Sequence, residues 1–159
     1  MFREIRRKDR LVSAEIGIGL LNKGMFGILS VIGDDDYPYG VPVNYLYRDN
    51  CIYIHCFLEG HKVDAVKKHP KVCFTVTCDE EVMKDQVSTN YTSVIAFGKA
   101  ELLPPPENDE RQRAFAGIME KYIPGEVDRT NIYIKENEHK TILIKINIEH
   151  MTCKKRDIR

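Results

Sequence analysis

Three consecutive residues, Gly60, His61 and Lys62, stand where an apolar run of β-forming residues from Cys51 to Phe57 gives way to a helical pattern. The start of a helix offers unpaired backbone N–H groups and the positive end of the peptide dipole, so a lysine there is electrostatically unfavourable without an anion nearby. That chemistry suits a phosphate. His61 adds a group that titrates near neutrality and can deliver a proton. His55 and Cys56, a few residues earlier, are read from the residues alone as half-buried strand positions. No ligand set for a metal emerges: Cys51 and Cys56, like Cys73 and Cys78, are separated by four residues, and none of the five cysteines follows the two-residue spacing of zinc ribbons. Reduced, packed thiols are expected.

The elements that must position the triplet are a strand over Cys51–Phe57, a helix over His61–Lys68 ended by His69-Pro70, and a strand over Lys71–Cys78. Two helical turns are too short for an ordinary parallel crossover, which favours an antiparallel arrangement. Upstream, Ser13 precedes a helix over Ala14–Lys23 whose Gly17 and Gly19 require tertiary support or admit a close neighbour. Phe26–Ile32 and Tyr37–Tyr47 read as strands, the second with a free edge because Pro38 and Pro42 cannot donate to a ladder. Its Asn44 is a polar group at that edge. Tyr37, Tyr39, Tyr45, Tyr47 and Tyr53 suit a ring-lined pocket or a subunit interface, and suit ordinary strand propensity equally.

Downstream, Asp79–Asn90 is polar and without period, a surface loop. Tyr91–Leu103 reads as a strand with Gly98 and Ala100 at a bulge or close contact, Glu107–Tyr122 as a helix after Pro104-Pro105-Pro106, and Lys140–Met151 as a strand in which Ile142, Ile144, Ile146 and Ile148 alternate with Leu143, Lys145, Asn147 and Glu149. Residues 126–138 fit no single pattern. Six strands and a few short helices predict one mainly β domain over residues 1–159, a six-stranded antiparallel barrel, closed or split. Lys+Arg and Asp+Glu are balanced at 24 each, so nothing points to nucleic acid or an anionic membrane. The basic tail KKRDIR reads as a solvated end. The charged start MFREIRRKDR lacks the apolar run of a signal peptide, and no stretch is long and apolar enough to span a bilayer, so a cytoplasmic protein is expected.

The segments GDDDYPYGVPVNYLY, EGHKVDAVKKHPKVCF and SVIAFGKAEL together make the chain resemble the FMN-binding split barrels related to pyridoxamine phosphate oxidase, and among them the nitroimidazole-resistance (Nim-type) proteins. The resemblance implies an FMN at a homodimer interface and an oxidoreductase that draws on an external electron donor to reduce a small aromatic or nitro compound. A flavin- or haem-binding sensing module on the same barrel is the alternative. It implies phosphate contacts at Gly60, His61 and Lys62, where pyridoxamine phosphate oxidases carry Ser-Arg-Lys; His55 and Cys56 beside the ring or phosphate; Val43 and Asn44 along the ring edge; a polar contact at Ser93; and a catalytic role for His61. The Arg-x-His pattern that holds substrate in true pyridoxamine phosphate oxidases is missing from the ending HMTCKKRDIR.

Overall fold

The computed structural model describes residues 2–105 and 108–158. Its strands are β1 (Gly27–Ile32), β2 (Pro38–Val43), β3 (Leu46–Arg48), β4 (Cys51–Phe57), β5 (Lys71–Met83), β6 (Ser88–Leu103) and β7 (Thr141–Arg156), and its α-helices α1 (Ala14–Lys23), α2 (His61–Lys68), α3 (Asp109–Tyr122) and α4 (Val127–Asn137). All strand pairs are antiparallel, in the order β2-β1-β5-β6-β7-β4-β3. The two edge strands, β2 and β3, are therefore consecutive in the chain and joined only by Asn44 and Tyr45. The chain passes from one edge of the curled sheet to the other through these two residues, and no ladder between β2 and β3 closes it into a barrel.

Seven strands replace the expected six because the run 37–47 breaks in two. β2 pairs with β1, β3 pairs with β4, and the two residues between them give their polar groups to other partners. Asn44 donates through Nδ2 to Met25 O at 3.0 Å, and the Tyr45 N–H donates to the Tyr122 hydroxyl at 2.8 Å. That hydroxyl also lies 2.8 Å from Met25 O and 3.0 Å from Tyr45 O, one of which takes its hydrogen. Tyr122→Phe is expected to destabilise the protein by about 1–2 kcal/mol, because the Tyr45 amide is left without its acceptor. Urea unfolding measures this; a midpoint unchanged from wild type would show that the break between β2 and β3 does not depend on Tyr122.

Pro38 and Pro42 lie in β2, an edge strand, as their missing N–H groups require. The residues 79–90, expected as a loop, instead extend β5 and β6 into a two-stranded ribbon through Glu81↔Asn90, Val82↔Thr89 and Met83↔Ser88, after a register shift beyond Cys78 where Asp79 takes φ 60°. A ribbon with both faces in water needs no apolar alternation, so its strands carry no period to read. The tail is likewise structured. Lys154 to Arg156 belong to β7 opposite Ser93 to Tyr91, and the Asn90 side chain clasps the Ile158 backbone at 3.1 and 2.8 Å. The expected bulge falls between Phe97 and Gly98. Of the helix expected from residue 107, the described part begins at Asp109, capped by Asn108, whose side chain accepts from the Arg111 N–H; Pro106 and Glu107 lie outside the described residues.

The main core fills the inside of the curled sheet. Leu29, Phe74, Val76, Val94, Ile52, Ile54, Ile144 and Ile146 pack with Leu20 and Leu21 of α1 and Ala65 and Val66 of α2. Each such fully buried side chain contributes on the order of 2 kcal/mol of hydrophobic stabilisation. Gly17 lets α1 sit close on β7: a Cβ there would stand 2.0 Å from Cys153 Sγ. A second core lies on the opposite face of β4 and β7, where Tyr53 and Leu143 meet Phe115, Ile118 and Met119 of α3. The stretch Thr141–Ile144 is consequently buried on both faces, not one. Farther along that face Lys145 bridges Glu110 at 2.7 Å and Glu101 at 3.2 Å, and Tyr53 donates to Glu110 at 2.9 Å.

Candidate functional site

β4 ends and α2 begins through a turn in which Gly60 takes φ 134° and ψ 161°. A side chain at that φ would be strained, so the position calls for glycine and exposes the backbone at the helix start. The Val63 and Asp64 N–H groups both donate to Gly60 O, at 2.8 and 3.1 Å. The amides of His61 and Lys62, one step earlier, have no intrahelical acceptor. Val63 and Val66 anchor α2 in the core, which holds these donors at the rim of the sheet.

Lys62 is partly buried, and among the described residues no carboxylate pairs with it. Its ammonium acts on both His55 and Cys56. Burial pushes the His55 imidazolium below the ordinary histidine range, and the Lys62 charge adds to that push. Burial raises the Cys56 thiol, and Lys62 opposes it. The strand places His55 against Phe115 of α3, with ring centroids 5.9 Å apart, while Cys56 packs toward the main core. His55 Nδ1 is buried and makes no hydrogen bond.

A histidine that resists protonation in the folded state binds fewer protons than in the unfolded chain at acidic pH. Stability from this group is therefore full above the ordinary histidine pKa of about 6.5 and is lost as pH falls toward the lower folded value. Wild type is expected to lose stability relative to His55→Leu as pH drops from about 7 to about 5, read by urea midpoints at each pH. Parallel pH profiles for the two proteins would refute this.

His61 points elsewhere. Its ring stacks on Tyr39 of β2 at 4.2 Å, and its Nε2 faces Asp34 Oδ2 at 3.6 Å, so the side chain ties α2 to the turn between β1 and β2. Gly33 in that turn passes directly beneath: a Cβ there would stand 3.0 Å from His61 Nε2.

Asn44 and His55 border one cavity of about 400 Å³ between β4, α3 and α4, closed by Ile118, Met119, Tyr122, Thr130 and Tyr133. Val43 is the last residue of β2, paired with Gly27 and packed on the main core next to that cavity's Asn44. Ser93 is not in the group. It pairs with Thr77 and Lys154, ten residues along β6 from Leu103, the residue in register with Leu143 beside His55. That is roughly 33 Å along the strand at 3.3 Å per residue. The sequence gives no sign of α4, because its inward positions, Thr130, Ile134 and Asn137, are mostly polar while Val127 and Ile132 face out and Tyr133 is only partly covered. The contributions of Thr130 and Tyr133 to the cavity were therefore not foreseeable from periodicity.

Among the described residues the chain is a curled seven-stranded antiparallel sheet with four α-helices, a fold that solved structures share. Residues 15–155 match the family model described as pyridoxamine 5'-phosphate oxidase, and the chain belongs to that family. An uncharacterized protein of Rhizobium meliloti strain 1021 is 28% identical over 114 residues, 70% of this chain and 70% of its own. Among solved structures, the flavocytochrome Anf3 of Azotobacter vinelandii superposes with a TM-score of 0.82 at 19% identity, over 98% of this chain and 73% of its own. A candidate 5-nitroimidazole antibiotic resistance protein of Bacteroides thetaiotaomicron superposes with a TM-score of 0.70 at 20% identity, over 94% of this chain and 84% of its own. At such identities the likeness is one of fold. Among the described residues no helix is long and apolar enough to cross a membrane, and no cluster of metal-ligating side chains occurs.

Proposed function

We propose that the chain binds flavin mononucleotide at the corner between β4 and α2 and serves as a flavin-dependent oxidoreductase of the Nim-like kind, reducing small aromatic or nitro compounds with electrons from an external donor. The observation that carries this reading is Lys62: a cation that pairs with no carboxylate among the described residues, in the first turn of a helix whose leading amides lack intrahelical acceptors, and near enough to His55 for its charge to act on that ring. These groups fit a flavin phosphate and the polar edge of its ring. The donor set is smaller than the Ser-Arg-Lys of pyridoxamine phosphate oxidases, since Gly60 has no hydroxyl and His61 no guanidinium fork.

Bound FMN supplies the hydride or electron transfer. The chain's own residues then have distinct tasks. Lys62 and the amides of His61 and Lys62 balance the phosphate charge. His55, kept neutral by burial, offers one ring nitrogen without adding charge. Asn44 has Oδ1 to offer while its Nδ2 stays on Met25 O, and Val43 and Cys56 supply apolar flanks. His61, assigned here to proton delivery, is oriented by Tyr39 and Asp34 one residue from Lys62.

The functional unit on this reading is a homodimer. Ile28, Ile32 and Phe97 stand exposed on the outer face of β1 and β6, where a further cavity of about 460 Å³ also takes in Phe2 and Cys73. Ser93 alternates onto that same outward side, opposite buried Val94 and Ala96, so across a pair of chains it would meet the partner and not its own Lys62. The absorption spectrum of the purified protein, with and without added FMN, tests the assignment. A flavin spectrum with the cofactor retained on gel filtration is expected; protein that neither carries FMN nor takes it up overturns it. Bound FMN that no nicotinamide donor or reduced ferredoxin reduces would instead make the chain a flavin-holding module.

A further inference from the structure

The cavity between β4, α3 and α4 has a composition of its own, separate from the basic corner at α2. Its walls are apolar, supplied chiefly by Ile118, Met119 and Ile123 at the end of α3 and by the face of Tyr133. Apolar walls that include an aromatic ring suit a planar ring, and about 400 Å³ accommodates a small one with a substituent. Among the described residues that line it, Arg129 alone is charged. Arg129 is exposed at the opening, and among the described residues no carboxylate pairs with it. It also lies in the first turn of α4, an eleven-residue helix, where the helix dipole favours a negative charge. His55 lines the cavity as well, its ring stacked on Phe115 with centroids 5.9 Å apart.

These features set the class of ligand. Among the described residues no aspartate or glutamate lines the cavity, so a cationic ligand would meet only Arg129. A dianion such as a phosphate monoester would find one guanidinium for two charges. A carboxylate carries one charge and matches the planar guanidinium fork with two parallel hydrogen bonds. We infer that this cavity is a binding site for a small aromatic carboxylate, its ring between Tyr133 and the end of α3, its carboxylate on Arg129 and a polar ring substituent within reach of His55. The site stands on the cavity itself. That its occupant is the compound reduced by the flavin rests on the reading given above, since His55, which lines the cavity, is also the residue on which the Lys62 charge acts.

Benzoate and its neutral isostere benzamide are the probes, titrated by calorimetry into the protein as purified and again after addition of FMN, with the imidazole signals of the five histidines followed by NMR. Benzoate is expected to bind at least about tenfold more tightly than benzamide, and Arg129→Gln, a change at an exposed position, is expected to abolish that preference. The His55 signal is expected to shift on saturation while His69 and His139 stay in place. Equal affinities for the two probes, retention of the preference in Arg129→Gln, or shifts confined to histidines other than His55 would overturn the site. Protein that takes up FMN but not benzoate refutes this inference and leaves the flavin reading intact; protein that takes up benzoate but not FMN does the reverse.

Discussion

Replacing Lys62 with alanine is expected to weaken FMN binding by about ten- to a hundredfold, the value of one charge-assisted hydrogen bond to a phosphate. The protein should remain folded. Lys62 is only partly buried and pairs with no carboxylate among the described residues, so its loss strands no partner. Lys62→Arg should restore most of the affinity, because the position needs a cation within reach of the helix start. Fluorescence quenching of free FMN on titration gives both dissociation constants. A constant for Lys62→Ala equal to wild type would place the phosphate elsewhere, and the assignment of the β4–α2 corner would fall with it.

The largest effect on stability is expected at Arg111. Its side chain is completely buried, and Nη2 donates to Glu138 O at 2.9 Å and to Thr141 O at 2.8 Å. It thereby joins α3 to the end of α4 and the start of β7, with its guanidinium 5.9 Å from the Phe115 ring centroid. Arg111→Ala removes the donors from two carbonyls in a water-poor place and leaves a cavity, a loss of about 3 kcal/mol or more. Arg111→Lys keeps the charge without the planar fork and should recover only part of it. Urea unfolding should show a lower midpoint at an unchanged slope. A loss below about 1 kcal/mol would show that the link between α3 and β7 is carried by apolar packing alone.

The two residues differ in how plainly the chain announces them. Lys62 is legible because its signal is local: a glycine, a cation and a helix start within three positions. Arg111 gives no signal, since an arginine in the first turn of a polar helix reads as solvated until β7 closes over it. Arg129 and Thr130 are hidden for a related reason, as α4 buries Thr130 and leaves Val127 and Ile132 in water, so no apolar stripe marks its inner side. The resemblance to the FMN-binding split barrels led to the family, whereas the residues alone led only to an anion-binding corner on a barrel.

What the sequence determined by itself are the elements whose pattern repeats within a few residues. The helices 14–23 and 61–68, the strand 51–57 and the alternating isoleucines of 142–148 follow from periods of 3.6 and 2, and the proline edge follows from missing donors. The tertiary structure decided everything that depends on distant partners. It split the run 37–47 because its halves bond to opposite edges of the sheet, and it paired 79–83 with 88–90 through backbone groups that any residue carries. It turned His61 toward Tyr39 and brought residues 44, 55 and 129 to one cavity. Backbone pairing and side-chain convergence are fixed by closure of the chain on itself, and no local period encodes them.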